Sequence, residues 1–276
     1  MNARRRRLPA RKRFSGQSFN RMLPNLMTLL GLCIGLSAIR LGMDGKFGDA
    51  VIAIAVSGVI DGLDGRLARL LKATSRFGAE FDSLSDFLCF GVAPALVLYS
   101  WSLEPWGAIG FLPPLMYTSA MALRLARFNA ALDNAPKAAF AYNFFTGVPA
   151  PAGAGLALFP LFIGLEADGR HMAWLRDAVS YPLLTGALLV GVALLCVSNL
   201  PVWSFKNFKI PTAQLLPMLL GVVVFAAILF ADPYAAGALL GLAYMVMLPF
   251  SLRSYRRLAA EAENRRAAAE QMPEEG

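Results

Sequence analysis

The sequence is poor in charge for its length, and this scarcity restricts the class of protein. Charged residues make up 16% of the 276 residues, against about 25% in ordinary soluble domains, while 57% of the residues are hydrophobic. The alternative, a soluble all-α protein, would have to bury nearly every helix on all faces. The composition therefore predicts a polytopic membrane protein.

Cysteine and histidine are also scarce. The three cysteines, Cys33, Cys89 and Cys196, are isolated within apolar runs, without the spacing of a disulfide framework or a metal site. Their positions indicate small, packed side chains. His171, the only histidine, lies in a polar stretch without a partner motif, which argues against histidine-based chemistry.

Acidic residues are absent from the first 22 residues, which hold eight arginines and lysines. This basic N-terminal segment is predicted to be disordered or to lie on an anionic membrane surface. Nucleic-acid binding would require the net charge of +8 to cluster on a folded basic face. Most other basic residues instead lie between apolar segments, so membrane topology explains them better.

Long apolar runs divide the chain into the basic segment 1–22, a membrane-embedded domain at 23–252 and a charged tail at 253–276. A membrane-spanning helix needs about 20 mainly apolar residues. Eight runs are candidates, the fifth being short and rich in proline and glycine: 24–43, 47–69, 79–101, 106–126, 150–166, 181–200, 213–231 and 235–252. We therefore predict an all-α membrane bundle of about eight transmembrane helices.

The distribution of basic residues predicts how this bundle is oriented. With a cytoplasmic N-terminus, 22 of the 26 arginines and lysines fall in cytoplasmic segments, as the positive-inside rule requires. Both termini are then cytoplasmic, and residues 61–86 lie at the cytoplasmic ends of the second and third spans. The expected location is the inner membrane of the cell, with the active site at the cytoplasmic face.

Four aspartates interrupt two of the predicted spans. They form two pairs, each on one helix face because its members are three or four residues apart: Asp61 with Asp64, and Asp82 with Asp86. Four unpaired aspartates in mid-bilayer would cost roughly 10–14 kcal/mol, whereas a hydrated cavity at the cytoplasmic rim can hold them. Converging carboxylates suit Mg²⁺ or Mn²⁺, and two ions can share bridging carboxylates.

Basic and small residues beside the aspartates indicate a phosphate ligand. Arginine can bind phosphate oxygens with two parallel hydrogen bonds, and glycine allows close approach of a helix or ligand. The residues concerned are Arg66, Arg69, Lys72, Arg76, Gly62, Gly65 and Gly78. Together they predict metal-dependent phosphate chemistry at the membrane face, but they leave an ion- or proton-coupled transporter open.

Residues 61–86 resemble the signature of the CDP-alcohol phosphatidyltransferase family. The stretch reads D-x-x-D-G-x-x-A-R, eight residues, then G-x-x-x-D-x-x-x-D, and every fixed position matches: Asp61, Asp64, Gly65, Ala68, Arg69, Gly78, Asp82 and Asp86. The resemblance implies a membrane enzyme with six core helices and two divalent cations held by the four aspartates. It also implies that an alcohol displaces CMP from a CDP-linked lipid, which makes a transporter a remote alternative.

Three further stretches are similar to the family's bacterial phosphatidylserine synthases: PNLMT at 24–28, LRLARFN at 123–129 and FFTGVPAPAGAG at 144–155. This resemblance covers about residues 20–210 and implies CDP-diacylglycerol and L-serine as substrates. Eight spans fit this subgroup, and a homodimer is expected from the resemblance alone. The same chemistry with glycerol 3-phosphate, inositol phosphate or choline remains an alternative.

The resemblance also implies roles for single residues. Asp86 is expected to be the general base for the serine hydroxyl as well as a metal ligand. The expected contacts to the CDP-lipid are Asn25, Thr28, Gly65, Arg69 and Ser75, with Thr74 as a neighbour.

The serine site is predicted from charge, because the carboxylate of serine requires a fixed cation. Arg124 and Arg127 end the fourth span on the cytoplasmic side, and Lys206 lies in the loop after the sixth span. Asn129 can hydrogen-bond the amino acid. The three basic residues can also serve only as positive-inside anchors.

Overall fold

The computed structural model describes residues 19–131, 144–203 and 212–270, and within these ranges the predicted all-α class is confirmed. Two short antiparallel strands, β1 (Phe144–Thr146) and β2 (Pro201–Trp203), accompany the helices. The helices in chain order are α1 (Phe19–Met43), α2 (Phe47–Leu70), α3 (Arg76–Asp86), α4 (Ala93–Leu98), α5 (Gly107–Ala131), α6 (Ala150–Ala157), α7 (Phe159–Gly169), α8 (Ala173–Val179), α9 (Pro182–Val197), α10 (Thr212–Ala231) and α11 (Pro233–Glu270).

α1 and α2 form a closely packed antiparallel pair. A Cβ at Gly31 of α1 would lie 3.2 Å from a methyl carbon of Ile60, so the two helices approach closely at this glycine. We call the end at which α1 begins and α2 ends the site end, and the opposite end the far end. At the site end, α2 finishes at Leu70, and Lys72 follows it with φ +49°. The Ala73 N–H donates a hydrogen bond to the Ala68 carbonyl, which closes the last turn of the helix.

Residues 76–131 form a helical hairpin. A wide π-helical turn, Phe87–Val92, joins α3 to α4, and a second π-helical turn, Tyr99–Leu103, leads into the 3₁₀ turn Glu104–Trp106. Gly107, with φ +55°, then reverses the chain at the far end in a conformation that favours glycine. α5 consequently runs back toward the site end.

The π-helical turn after α3 is fixed by hydroxyl groups of α5. Its irregular backbone offers carbonyl groups to side chains. Tyr117, which is fully buried, donates a 2.7 Å hydrogen bond to the Phe90 carbonyl, and Thr118 donates to the Gly91 carbonyl at 3.4 Å. These bonds hold α5 against the segment that follows Asp86.

The C-terminal helix packs along the second half of the bundle. Gly237 and Gly241 of α11 face Phe162 and Phe159 of α7 so closely that a Cβ at either glycine would clash. Asp232 caps α11 at the far end by accepting hydrogen bonds from the next backbone N–H groups. At the site end, Ser251 donates to the Pro201 carbonyl of β2 and thereby fixes the direction of α11.

Length and composition support a membrane protein without fixing the number of spans. Three of the described helical stretches are long and apolar enough to cross a membrane, namely 22–43, 76–130 and 233–258, or up to five if each bent pair, α6–α7 and α8–α9, is one span. The stretch 76–130 folds back at Gly107. α2 carries charged residues and the apolar part of α10 is short, so neither helix is among these spans. The count of eight spans and the cytoplasmic location of the termini therefore stay predictions.

Some boundaries differ from the predicted ones. α5 ends at Ala131, five residues beyond the predicted span 106–126, and α8 lies between the predicted spans 150–166 and 181–200. α11 continues from the predicted last span through the charged tail to Glu270. Such extensions are expected where helix-forming residues continue beyond the apolar run that a membrane requires.

Candidate active site

The site end gathers the carboxylates that the sequence singles out. Oxygen atoms of Asp61, Asp64 and Asp82 all lie within 4.8 Å of one another. At an effective dielectric constant of about 20, two unit charges at that distance repel by about 3–4 kcal/mol. Three such carboxylates therefore fit a divalent cation, whose preferred ligands are oxygen atoms.

Asp86 extends this cluster toward α5. It interacts electrostatically with Asp61 and Asp82, and also with the oppositely charged Arg124. Its carboxyl group lies within hydrogen-bonding range of the Asp61 carboxyl, but its buried Oδ1 atom has no hydrogen-bond donor among the residues that the structure describes. Because buried polar atoms are nearly always satisfied, this oxygen indicates a missing ligand, either a cation or a substrate proton donor.

Thr28 fixes the orientation of Asp64. Both side chains are buried, at 6% and 3% exposure, and the Thr28 hydroxyl donates a 2.5 Å hydrogen bond to Asp64 Oδ2. The same hydroxyl lies 3.1 Å from the Pro24 carbonyl, one turn earlier in α1. The structure thus places Thr28, predicted as a nucleotide contact, in direct contact with a carboxylate of the cluster.

The remaining predicted contacts to the CDP-lipid surround the open side of the cluster. Arg69 is exposed, and its Nε donates to the Gly65 carbonyl at 3.0 Å. Ser75 caps α3 by accepting the Gly78 N–H at 3.0 Å, while Thr74 is exposed beside it. The structure also brings Asn25 to this edge, because a Cβ at Gly78 would lie 3.0 Å from its Oδ1.

The predicted serine residues have different surroundings. Arg124 is half-buried, faces Asp86 electrostatically, and donates from Nε to the Val148 carbonyl at 2.5 Å. Asn129 donates to Ser83 Oγ at 3.0 Å, which ties α5 to α3. Lys206 lies outside the described residues.

Arg127 is engaged with the end of α9. Its Nη1 donates to the Val197 carbonyl at 2.8 Å and to Asn199 Oδ1 at 3.0 Å. Its Nη2 donates to the Ser198 carbonyl at 3.1 Å and lies 3.5 Å from the Thr146 carbonyl. A cation at a helix C-terminus stabilises that helix, so the contacts of Arg127 are structural.

Sequence reasoning missed the hydroxyl groups that line the cleft between the two aspartate pairs. Ser57 of α2 and Ser85 of α3 are buried in this cleft beside Asp61 and Asp86. Ser57 precedes Asp61 by four residues and Asp64 by seven, so helical periodicity alone could have placed it on the same face. Ser85 adjoins Asp86 and carries no comparable signal.

Comparison with known proteins gives matches over most of the chain. The family model for CDP-alcohol phosphatidyltransferase matches residues 21–197, which include all four aspartates. A CDP-diacylglycerol–serine O-phosphatidyltransferase of Mycobacterium tuberculosis is 37% identical over 244 residues, covering 88% of this chain and 82% of the relative. The protein of the same name from Helicobacter pylori is 34% identical over 215 residues, covering 78% and 84%. An archaetidylserine synthase of Methanothermobacter thermautotrophicus is 35% identical over 137 residues, covering 48% and 54%.

Proposed function

Because this chain belongs to the CDP-alcohol phosphatidyltransferase family, we propose that it transfers the phosphatidyl group of CDP-diacylglycerol to L-serine, giving phosphatidylserine and CMP. The observation that carries the reaction type is the convergence of Asp61, Asp64 and Asp82 at one end of the helical bundle. The choice of serine is supported by the serine phosphatidyltransferases of two bacteria, which align with more than three-quarters of the chain.

The four aspartates are proposed to hold divalent cations, Mg²⁺ or Mn²⁺, with two ions expected. When bound, such ions neutralise the carboxylates and the pyrophosphate of the CDP-lipid. The donor set fits this role because three of its members, Asp61, Asp64 and Asp82, bring carboxylate oxygens within 4.8 Å of one another. Thr28 keeps Asp64 in one orientation through its hydrogen bond.

Asp86 is proposed as the general base. Its carboxylate accepts the proton of the serine hydroxyl while the serine oxygen forms a bond to the phosphorus that carries diacylglycerol. The bond from this phosphorus to the CMP oxygen breaks, and CMP leaves with the electron pair. A positioned base contributes about 10²–10⁴-fold, and the unpartnered Oδ1 of Asp86 is an oxygen available for the proton.

The nucleotide is proposed to lie against the open side of the cluster, beside Asn25, Gly65, Arg69 and Ser75, with Thr74 adjacent. A Cβ at Gly65 would meet only the Arg69 guanidinium, at 4.0 Å, among the described atoms, so phosphate can approach the α2 backbone here. Ser75 accepts the Gly78 N–H and therefore keeps its own hydroxyl proton for a ligand.

Arg124 is the proposed partner of the serine carboxylate. Only its Nε takes part in a hydrogen bond with the described residues, so both terminal nitrogens can form a bidentate pair with a carboxylate. Its electrostatic interaction with Asp86 indicates that the bound serine would lie near the base. Asn129 and Lys206 are secondary candidates for this site.

The membrane arrangement is proposed from the basic residues. Positive-inside asymmetry supports an inner-membrane protein with about eight spans, cytoplasmic termini and a cytoplasmic active site. The structure is compatible with this arrangement because α2 and α3, which carry the aspartates, meet at the same end of the bundle. A homodimer is proposed on family membership alone.

A parallel acceptor assay tests the function. The purified protein receives CDP-diacylglycerol with Mg²⁺ or Mn²⁺, and serine, glycerol 3-phosphate, inositol phosphate or choline in separate reactions. CMP release and mass spectrometry of the lipid are measured, with chelator-treated protein as the control. We expect serine-dependent CMP release and phosphatidylserine. A different acceptor-dependent lipid, or no metal-dependent CMP release, would contradict the proposal.

A further inference from the structure

An apolar cavity of about 400 Å³ lies between α2, the α6–α7 pair and α11. This volume falls in the range of about 300–1,000 Å³ typical of ligand pockets. Its wall includes Val51 and Gly58 of α2, Gly155 of α6 and Leu240 of α11. Since no described atom lies within 4 Å of a Cβ placed at Gly155, this position adjoins open space.

The cavity lies next to the aspartate cleft, in the direction of the far end. Phe90 lines both the cavity and the cleft, so the two spaces adjoin at this side chain. The α2 residues in its wall, from Val59 back to Val51, precede Asp61 by two to ten positions. At 1.5 Å per residue they lie roughly 3–15 Å farther along the helix.

Tyr244 supplies a polar group at the end of the cavity nearer the aspartates. α11 runs from the far end to the site end, and Tyr244 is the last of the four α11 residues that line the cavity. It lies within electrostatic range of Arg124 and Cys196. Every other described residue in the cavity wall is apolar.

The Tyr244 hydroxyl has no hydrogen-bond partner in the described part of the chain, although its oxygen is buried. Leaving a buried hydroxyl unsatisfied costs about 1–3 kcal/mol. An acceptor supplied by a ligand would remove this penalty. The required ligand combines one hydrogen-bond acceptor near Tyr244 with an apolar body that extends into the cavity.

We propose that the cavity receives one acyl chain of the lipid donor and that Tyr244 donates a hydrogen bond to the ester carbonyl of that chain. The inference rests on the proposed function. In the lipid donor, the ester group lies between the phosphate and the acyl chain. In the protein, Tyr244 lies between the aspartate cleft, where the phosphate would bind, and the cavity, where the acyl chain would lie. Because α11 lies beyond the matched residues 21–197, the contact would be supplied by a helix outside the region that carries the aspartates.

The hydroxyl contact is tested with Tyr244→Phe and two donors, CDP-diacylglycerol and its ether-linked analogue, which lacks the carbonyl groups. Donor affinity is measured by direct binding without serine, and KM by CMP release. Loss of one neutral hydrogen bond is expected to weaken donor binding by about 3- to 10-fold. We expect Tyr244→Phe to weaken binding of the ester donor by this factor and to leave the ether donor unchanged. Tyr181→Phe, at an exposed tyrosine near the far end, is the matched control.

The cavity itself is tested with Gly155→Leu, which places a side chain in the open space. We expect donor KM to rise at least 5-fold with hexadecanoyl chains and to change less than 2-fold with hexanoyl chains. Gly191→Leu is the control, since Gly191 also has no described atom within 4 Å of a Cβ but lies outside the cavity wall.

Three results would overturn the inference: equal weakening of both donors by Tyr244→Phe, an effect on the KM of serine alone, or chain-length independence of Gly155→Leu. These results differ from those expected if the proposed function is wrong. If the function is wrong, the wild-type protein releases no serine-dependent CMP. If the wild-type protein is active but the variants keep its donor selectivity, only the acyl site is refuted.

Discussion

The hydrogen bond from Thr28 to Asp64 gives the sharpest test of how the cluster is assembled. In Thr28→Val the side chain keeps its shape but loses the hydroxyl, so the buried carboxylate loses a 2.5 Å donor. A hydrogen bond to a charged group contributes about 1.5–3 kcal/mol. Groups that orient metal ligands typically change metal affinity or activity by about 10- to 100-fold. We therefore expect the Mg²⁺ or Mn²⁺ concentration for half-maximal activity to rise by that factor.

The assay is a metal titration of serine-dependent CMP release at saturating substrate. Ser37→Ala is a matched control, because Ser37 lies on the same helix and its hydroxyl donates only to the Cys33 carbonyl in the described structure. Thr28→Ser should stay close to wild type. If Thr28→Val instead raises KM for CDP-diacylglycerol with an unchanged metal dependence, Thr28 contacts the nucleotide and our assignment is wrong.

Three further predictions concern the base, a turn and a helix cap. Asp86→Asn should lower kcat at least 100-fold while CDP-diacylglycerol binding stays measurable; substantial turnover would exclude Asp86 as the base. Gly147→Ala should destabilise the fold by at least about 1 kcal/mol, measured as a lower unfolding temperature, because φ is +76° and a Cβ would lie 2.7 Å from the Cys196 carbonyl. Asp232→Ala should lower the free energy of unfolding by about 1 kcal/mol at neutral pH. Because the Ala235 N–H lowers the pKa of Asp232, the difference in unfolding free energy between variant and wild type should shrink as pH falls below about 4. A difference that grows on acidification would contradict this prediction.

The sequence contained enough information to bring the aspartates together, for a physical reason. Two helices joined by a short polar turn must be antiparallel neighbours, and spacings of three and four put each pair on one face. The convergence of Asp61, Asp64 and Asp82 follows from these two rules. Thr28 also contacts this cluster through its hydrogen bond to Asp64, which depends on the register of α1 against α2 and has no local sequence signal.

The sequence did not predict the irregular backbone that follows Asp86. The stretch FLCFGV at 87–92 has the composition of an ordinary membrane helix, yet it forms a π-helical turn. Its carbonyl groups bond Tyr117 and Thr118 of α5, which are distant in sequence. Local propensity cannot reveal such a turn, because the partners that stabilise it are set by the packing of the hairpin.

The arginines of α5 show why a charge count could not distinguish between the two candidates for the proposed serine site. Arg124 and Arg127 are one turn apart, and both fit the positive-inside rule equally well. In the folded chain Arg127 donates hydrogen bonds to carbonyl groups at the end of α9 and also lies beside the carbonyl of Thr146, the last residue of β1. Two residues after Thr146, the Val148 carbonyl accepts the Arg124 Nε–H. One arginine thus makes structural contacts beside the backbone that holds the other, Arg124, which is the proposed partner of the serine carboxylate.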